Sequence, residues 1–142
     1  MKKIIITTIA LVYASAVIGQ EAYICLPSVI SGFHFKSSSG NWEQSRFRIG
    51  DKKKILKKTD NKWEWKTFGE KYSFSTCGDS TESTPTDGFN SAGFIFCDLL
   101  GGHLRMNKNS LRYIETYEIG YVDGKDNNDN TPYIEIGTCS PL

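Results

Sequence analysis

Four cysteines follow an apolar N-terminal stretch, and they constrain this chain more than any other feature. Cys25, Cys77, Cys97 and Cys139 all lie beyond the stretch that runs from Ile4 to Gly19 behind Lys2 and Lys3. A basic start, an apolar run and small residues near its end form the pattern of a secretory signal peptide. The uncharged run is shorter than the ~20 residues that a spanning helix needs. The expectation is therefore a signal peptide over residues 1–19 and a single domain over 20–142, exported to the periplasm or secreted, with no stable membrane insertion after cleavage. Cleavage after Ala16 is the other plausible site. Tyr23, two residues before Cys25, does not suit a lipoprotein signal, which needs small residues there.

An even number of cysteines in an exported chain implies disulfides. Three pairings are possible, and spacing alone does not choose among them. The expected pairing is Cys77–Cys97, closing a local loop, with Cys25–Cys139 tying the domain's ends. In the chain-entropy model the shorter loop contributes roughly 3 kcal/mol and the longer one somewhat more. No two cysteines have the Cys-x-x-Cys spacing of a zinc or redox site.

The rest of the chain reads as strand and turn. Short alternating runs rich in aromatic and β-branched residues are bounded by Gly, Asn, Asp and Ser, and helical periodicity fails throughout. Tyr23 to Leu26 is a strand that Pro27 ends. Gly32 to Lys36 and Trp42 to Ile49 flank a turn at Ser37–Asn41. Lys52 to Lys58 sets Ile55 and Leu56 between lysines, as a charge-protected edge strand would. After a turn at Thr59–Lys62, Trp63 and Trp65 share one face and are expected inside. Strands follow at Lys71–Cys77, Gly93–Leu100, around Leu104 and Met106, at Leu111–Val122 and at Tyr133–Cys139. Gly78–Gly88 and Asp123–Asn130 are polar surface loops. About eight to ten strands with short connections predict an all-β fold, an antiparallel meander closing into a small barrel or sandwich with two disulfides.

The chain carries 17 basic and 16 acidic side chains. Loss of Lys2 and Lys3 turns this small positive balance slightly negative. Such a domain lacks the basic excess of a nucleic-acid binder. No nucleophile elbow, phosphate loop, dinucleotide fingerprint or His-Glu-x-x-His motif is present, so no residue is assigned a catalytic role and no cofactor is expected. His34 and His103 sit in alternating strands opposite apolar neighbours, and are expected to face solvent. Asp123, Asp126, Asn128 and Asp129 are oxygen donors of the type calcium takes, but the EF-hand spacing fails, and a turn-rich loop explains them better. Trp42, beside a Ser/Gly/Asn turn, is the best surface aromatic. With Arg46, Arg48, His34 and His103 it makes up the candidate binding residues, since aromatics and arginine are enriched in interfaces.

Tyr23-Ile24-Cys25-Leu26-Pro27, Gly32-Phe33-His34-Phe35, Asn41-Trp42-Glu43, Leu111-Arg112-Tyr113, Ile119-Gly120-Tyr121-Val122 and the ending Thr131-Pro132-Tyr133-Ile134-Glu135-Ile136-Gly137-Thr138-Cys139-Ser140-Pro141 resemble a set of small exported proteins of bacteria and their phages. That resemblance implies compartment and domain limits and carries no mechanism. Tyr23-Ile24-Cys25 and Cys139 also match the outline of periplasmic lysozyme inhibitors of the membrane-bound C-type class, which are small β-barrels. Their inner Ser- and Tyr-containing loop motif has no evident counterpart here. The functional expectation is a protein-binding or inhibitor module whose partner is another envelope or extracellular protein. The alternatives are a small-ligand carrier with an apolar barrel cavity and, last, a small enzyme.

Overall fold

The computed structural model describes residues 21–72, 75–78 and 88–142. The expected signal peptide and most of the loop between Gly78 and Gly88 lie outside the described residues. The strands are β1 (Ala22–Lys36), β2 (Asn41–Phe47), β3 (Lys54–Thr59), β4 (Lys62–Thr67), β5 (Ser75–Gly78), β6 (Phe94–Leu99), β7 (Gly102–Asn107), β8 (Arg112–Tyr117) and β9 (Tyr133–Pro141), with a single helical turn, α1 (Ile119–Val122), before β9. Eight of them, β1 and β3 to β9, form a closed antiparallel barrel, sealed where β1 pairs with β9. The fold is the expected all-β meander in its closed form, and closure removes most free edges.

β1 is 15 residues long and serves three partners. Ala22–Cys25 pair with β3, Tyr23–Gly32 with β9, and Ile30–Lys36 with β2. Its second half therefore extends past the barrel as a two-stranded ribbon. Pro27 does not end this strand, contrary to expectation. The β1–β9 register shifts between Pro27 and Val29, so Ser28 is the extra residue of a bulge. Residues 26–29 are paired on the β9 side only, and proline is tolerated where one side of a strand makes no ladder bond. Across the seam stands Gly137, where a Cβ would come within 2.2 Å of the Leu26 carbonyl oxygen.

β3 is also not the expected edge strand. It lies between β1 and β4, and its first lysine, Lys54, is bound to a carboxylate of the barrel interior. The β3–β4 hairpin turns on Asp60 and Asn61, both at positive φ (50° and 62°). That backbone matches the twist of the flanking strands, and Asx residues adopt it readily. The run from Leu111 to Val122 is not a single strand either. β9 begins at Tyr133, opposite Tyr117, so β8 has no ladder partner beyond that point. The Glu118 N–H donates instead to the Gly101 carbonyl at 2.8 Å, and the chain coils into α1. Gly120 permits the coil: a Cβ there would lie 1.2 Å from the Asn130 carbonyl oxygen.

Both expected disulfides are present, each joining residues directly opposite on neighbouring strands. Cys25–Cys139 closes the β1–β9 seam, and Cys77–Cys97 joins β5 to β6. The core packs around them. Leu56, Ile95, Leu104 and Met106 are fully buried along the barrel, with Trp63, Trp65, Phe89 and Tyr113 around them. Trp63 lies edge-on to Phe89, ring centres 5.1 Å apart, and Gly88 leaves room for its indole. Across the β4–β5 seam, Trp63 and Cys77 are the one register pair among the described residues. The Ser75 hydroxyl supplements it, accepting from the Trp65 N–H at 2.8 Å and donating to the Trp65 carbonyl at 3.0 Å.

Two stability predictions follow from this packing. Cys25→Ser and Cys139→Ser should each cost about 2–5 kcal/mol, and the double variant no more than either alone. Denaturant melts of the three variants measure this, and additive losses would contradict the bridge. Trp63→Ala should cost about 3–5 kcal/mol by the same assay, as expected for an aromatic removed from a packed cluster.

Candidate functional site

Side chains alternate in direction along a strand, so one fixed residue fixes the rest. Cys139 must point inward to meet Cys25. Gly137, Glu135 and Tyr133 share its parity, which sends Ile134 and Ile136 outward, 51% and 45% exposed. On β8 the same rule turns Tyr113, Glu115 and Tyr117 inward and Ile114 outward. Glu115 and Glu135 are thus buried, 3% and 4% exposed, and directly opposite each other across the β8–β9 ladder.

Facing carboxylates in a barrel interior are costly unless donors surround them. Glu115 accepts from Lys54 Nζ at 3.0 and 3.1 Å, from Trp65 Nε1 at 2.6 Å and from the Tyr133 hydroxyl at 2.8 Å. Glu135 accepts from the Tyr113 hydroxyl at 2.7 Å. Burial pushes the Glu135 carboxyl above its ordinary pKa, and the charge of Glu115 adds to that rise. The Tyr113 hydroxyl and Lys54 pull it back in part. Burial first, and the adjoining carboxylates after it, hold the Tyr113 and Tyr133 phenols protonated well above the usual tyrosine range.

Tyr133 connects this cluster to a cleft at the barrel's rim. Its ring stacks on Tyr117, centres 5.8 Å apart, where β8 ends and β9 begins. Beyond that pair the β1–β2 ribbon and α1 enclose a cleft of about 860 Å³, lined chiefly by Phe33, Trp42, Tyr117, Tyr121, Tyr133 and Ile134. Polar groups at its margin include Gln44, Thr116 and Glu118. Phe35 pairs with Trp42 across the ribbon, and Tyr121 meets the Trp42 ring edge-on at 5.7 Å.

The loop over residues 123–130 holds the cleft's outer wall in place. The Asn128 side chain imitates a strand: its Oδ1 accepts from the Phe35 N–H at 2.7 Å, and its Nδ2 donates to the Phe35 carbonyl at 2.8 Å. Trp42 Nε1 donates to Asp126 Oδ1 at 2.9 Å, and the Tyr117 hydroxyl donates to Asn130 Oδ1 at 3.1 Å. These contacts account for the polar residues read as weak calcium candidates. Asp126 and Asn128 bind the ribbon, and Asp123 Oδ1 accepts from the Lys125 N–H at 3.0 Å. Asp129 stands exposed. Among the described residues no three His, Cys, Asp or Glu side chains gather as a metal site would require.

The other candidates are dispersed. Trp42 is in the cleft wall. Arg46 and Arg48 are exposed beyond it. His103 is exposed, with Nδ1 at 3.1 Å from Oδ1 of Asp98, its cross-strand partner, beside a shallow hollow of about 300 Å³. His34 is only half-exposed, on the ribbon face opposite Phe33 and Trp42, and its Nδ1 is buried with no hydrogen-bond partner among the described residues. Glu115, Glu135, Lys54, Tyr113 and Tyr133 escaped sequence reasoning. The signal for the two glutamates was there in the parity of Cys139 and Tyr113, which sets Glu135 and Glu115 on the inner face. The chain matches no protein-family model, and no curated protein or solved structure is found to be similar to it.

The raised Glu135 pKa gives a pH prediction with a definite sign. A carboxyl whose folded pKa exceeds its unfolded one favours folding in acid, and that contribution is lost as pH rises through the folded value. Glu135→Gln removes this liability. Its melting temperature relative to the parent should therefore climb between mildly acid and neutral pH. A constant difference across that range would rule out the titration.

Proposed function

We propose that this chain is an exported binding module that grips an extended, apolar or aromatic segment of another envelope or extracellular protein in the rim cleft. The carrying observation is the cleft itself: five aromatic residues line about 860 Å³ at the surface, with few polar groups among them. Isolated exposed apolar residues are ordinary, but a contiguous aromatic concavity is characteristic of recognition sites. The barrel core, by contrast, is occupied by Leu56, Ile95, Leu104 and Met106, which favours a partner held at the rim over a ligand carried on the axis. Two disulfides are compatible with an oxidising compartment, as is the leader-like start of the sequence. The periplasm and the extracellular space both meet that condition.

The cleft is well prepared for binding. Trp42 and Tyr121 are fixed by each other and by Asp126, so little side-chain freedom remains to be lost when a partner arrives. Large rigid aromatics of this kind dominate interface energetics. Tyr121→Ala should therefore weaken binding by about 2 kcal/mol or more.

Site-specific photo-crosslinking tests the proposal. A benzophenone side chain at Gln44, in the cleft, should capture a defined partner in the native envelope, and Tyr121→Ala should abolish the adduct. The same probe at exposed Lys62, on the β3–β4 turn, should not form it. Equal capture from both positions would sink the idea. The cleft's volume also suits a small apolar ligand, whose range is roughly 300–1,000 Å³. In that case solvent extraction of the purified protein should release one stoichiometric compound.

A further inference from the structure

The rim cleft is apolar, but the carboxylates around it give it one sign of charge. Among the described residues that line it, Glu118 alone carries a full charge at neutral pH. Its Oε1 accepts from the hydroxyl of Thr116, another lining residue, at 3.0 Å. Asp126 stands at the Trp42 indole, where Oδ1 accepts from Nε1 at 2.9 Å. Asp123 directly follows Val122, which also lines the cleft. All three carboxylates are exposed, and none of them forms an ion pair among the described residues. The basic side chains of this neighbourhood stay outside the lining. Lys36 is paired with Glu43 at 3.0 Å, Lys125 belongs to the 123–130 loop, and Arg46 stands opposite Ser31 on β2.

The rings themselves suit a positive group. Tyr121 is 61% exposed and Trp42 is half-buried, so both keep ring surface open to an incoming side chain. A cation within about 6 Å of an aromatic ring centre is drawn to the ring's face, and tryptophan attracts it most strongly. Trp42 also gives its N–H to a carboxylate. That bond polarises the indole and adds electron density to the ring. Carboxylates of one sign beside low-dielectric walls focus the field in such a cleft and gather cations there.

We infer that the segment held in the cleft is basic: an arginine or lysine side chain lies on the rings of Trp42 and Tyr121, Glu118 and Asp126 balance its charge, and an adjoining apolar side chain packs on Phe33 and Ile134. This rests on the binding role proposed for the cleft and adds the charge of its partner. Arginine suits the place better than lysine, because its planar guanidinium stacks on an aromatic face while its edge bonds a carboxylate. A neutral segment would satisfy the rings and leave the carboxylates without a counter-charge. An acidic segment would be repelled, so the same groups that attract the partner also reject wrong ones.

A random heptapeptide library displayed on phage, selected on the purified protein and counter-selected on its Tyr121→Ala variant, tests this inference. Peptides that need Tyr121 should be enriched in arginine and lysine beside an aromatic or aliphatic residue, and depleted in aspartate and glutamate. Synthetic copies of them, titrated by calorimetry, should bind at least about tenfold more weakly to the variant that combines Glu118→Gln with Asp126→Asn. Both replacements keep the oxygens that accept from Thr116 and Trp42 and remove only the charge. Added salt should weaken binding to the parent more than binding to that variant. Tyr121-dependent peptides without basic enrichment overturn the inference and leave the cleft's binding role standing. So do basic peptides whose affinity ignores the double replacement. A library that yields no Tyr121-dependent peptide overturns both, which is the result expected if a second copy of the chain or a small apolar ligand fills the cleft.

Discussion

The bridge between Cys25 and Cys139 fixes which way the seam of this barrel faces. It joins two directly opposed residues on the first and last strands and allows one inward parity on each. From β9 that parity passes through the ladder to β8 and places Glu135 and Glu115 inside, with three isoleucines outside. By hydrophobicity alone the opposite choice would be favoured on β9, whose Ile134 and Ile136 lie outside. A slip of one residue would bury Ile134 and Ile136, but it would carry Cys139 to the outer face, away from Cys25. The covalent link thus overrides the local hydrophobic preference, and the polar interior follows from it.

That interior coheres because the donors are matched to the carboxylates. Lys54 reaches Glu115 from β3, Trp65 reaches it from β4 and Tyr133 from β9, so a single carboxylate ties together three strands besides its own. A buried pair of this sort adds little net stability, but removal of one partner strands a charge and is severely destabilising. Such a network sets register and uniqueness more than it adds depth to the energy well. It also explains the rim. Tyr133 has its hydroxyl in the network and also lines the cleft, so one side of the aromatic cleft is anchored to the buried Glu115 carboxylate.

Much of the fold was legible because its signals are local. The Asp60-Asn61 turn, the alternation around Leu104 and Met106 and the inward Trp63 and Trp65 each depend on a few neighbouring residues. The departures arose where a distant partner decides. Pro27 looks like a strand end until the bulge at Ser28 and the gap on its other side are seen. Lys54 looks like an edge guard until its carboxylate, 61 residues away, is placed. Ile119 and Tyr121 continue a strand pattern, yet β9 begins too late to pair with them. Of the candidate site only Trp42 was foreseen. Phe33, Tyr117, Tyr121 and Tyr133 were read as strand residues, and only tertiary structure brings them around one space.

The placement of the two disulfides has a dynamic consequence. One closes β1 to β9, and the other joins β5 to β6. A local opening along any other seam of the barrel therefore breaks neither sulfur bridge. Through such an opening the barrel unrolls into a sheet whose first and last strands stay covalently joined. Water can then reach the buried carboxylates while both bridges persist, and reclosing needs no search for strand order.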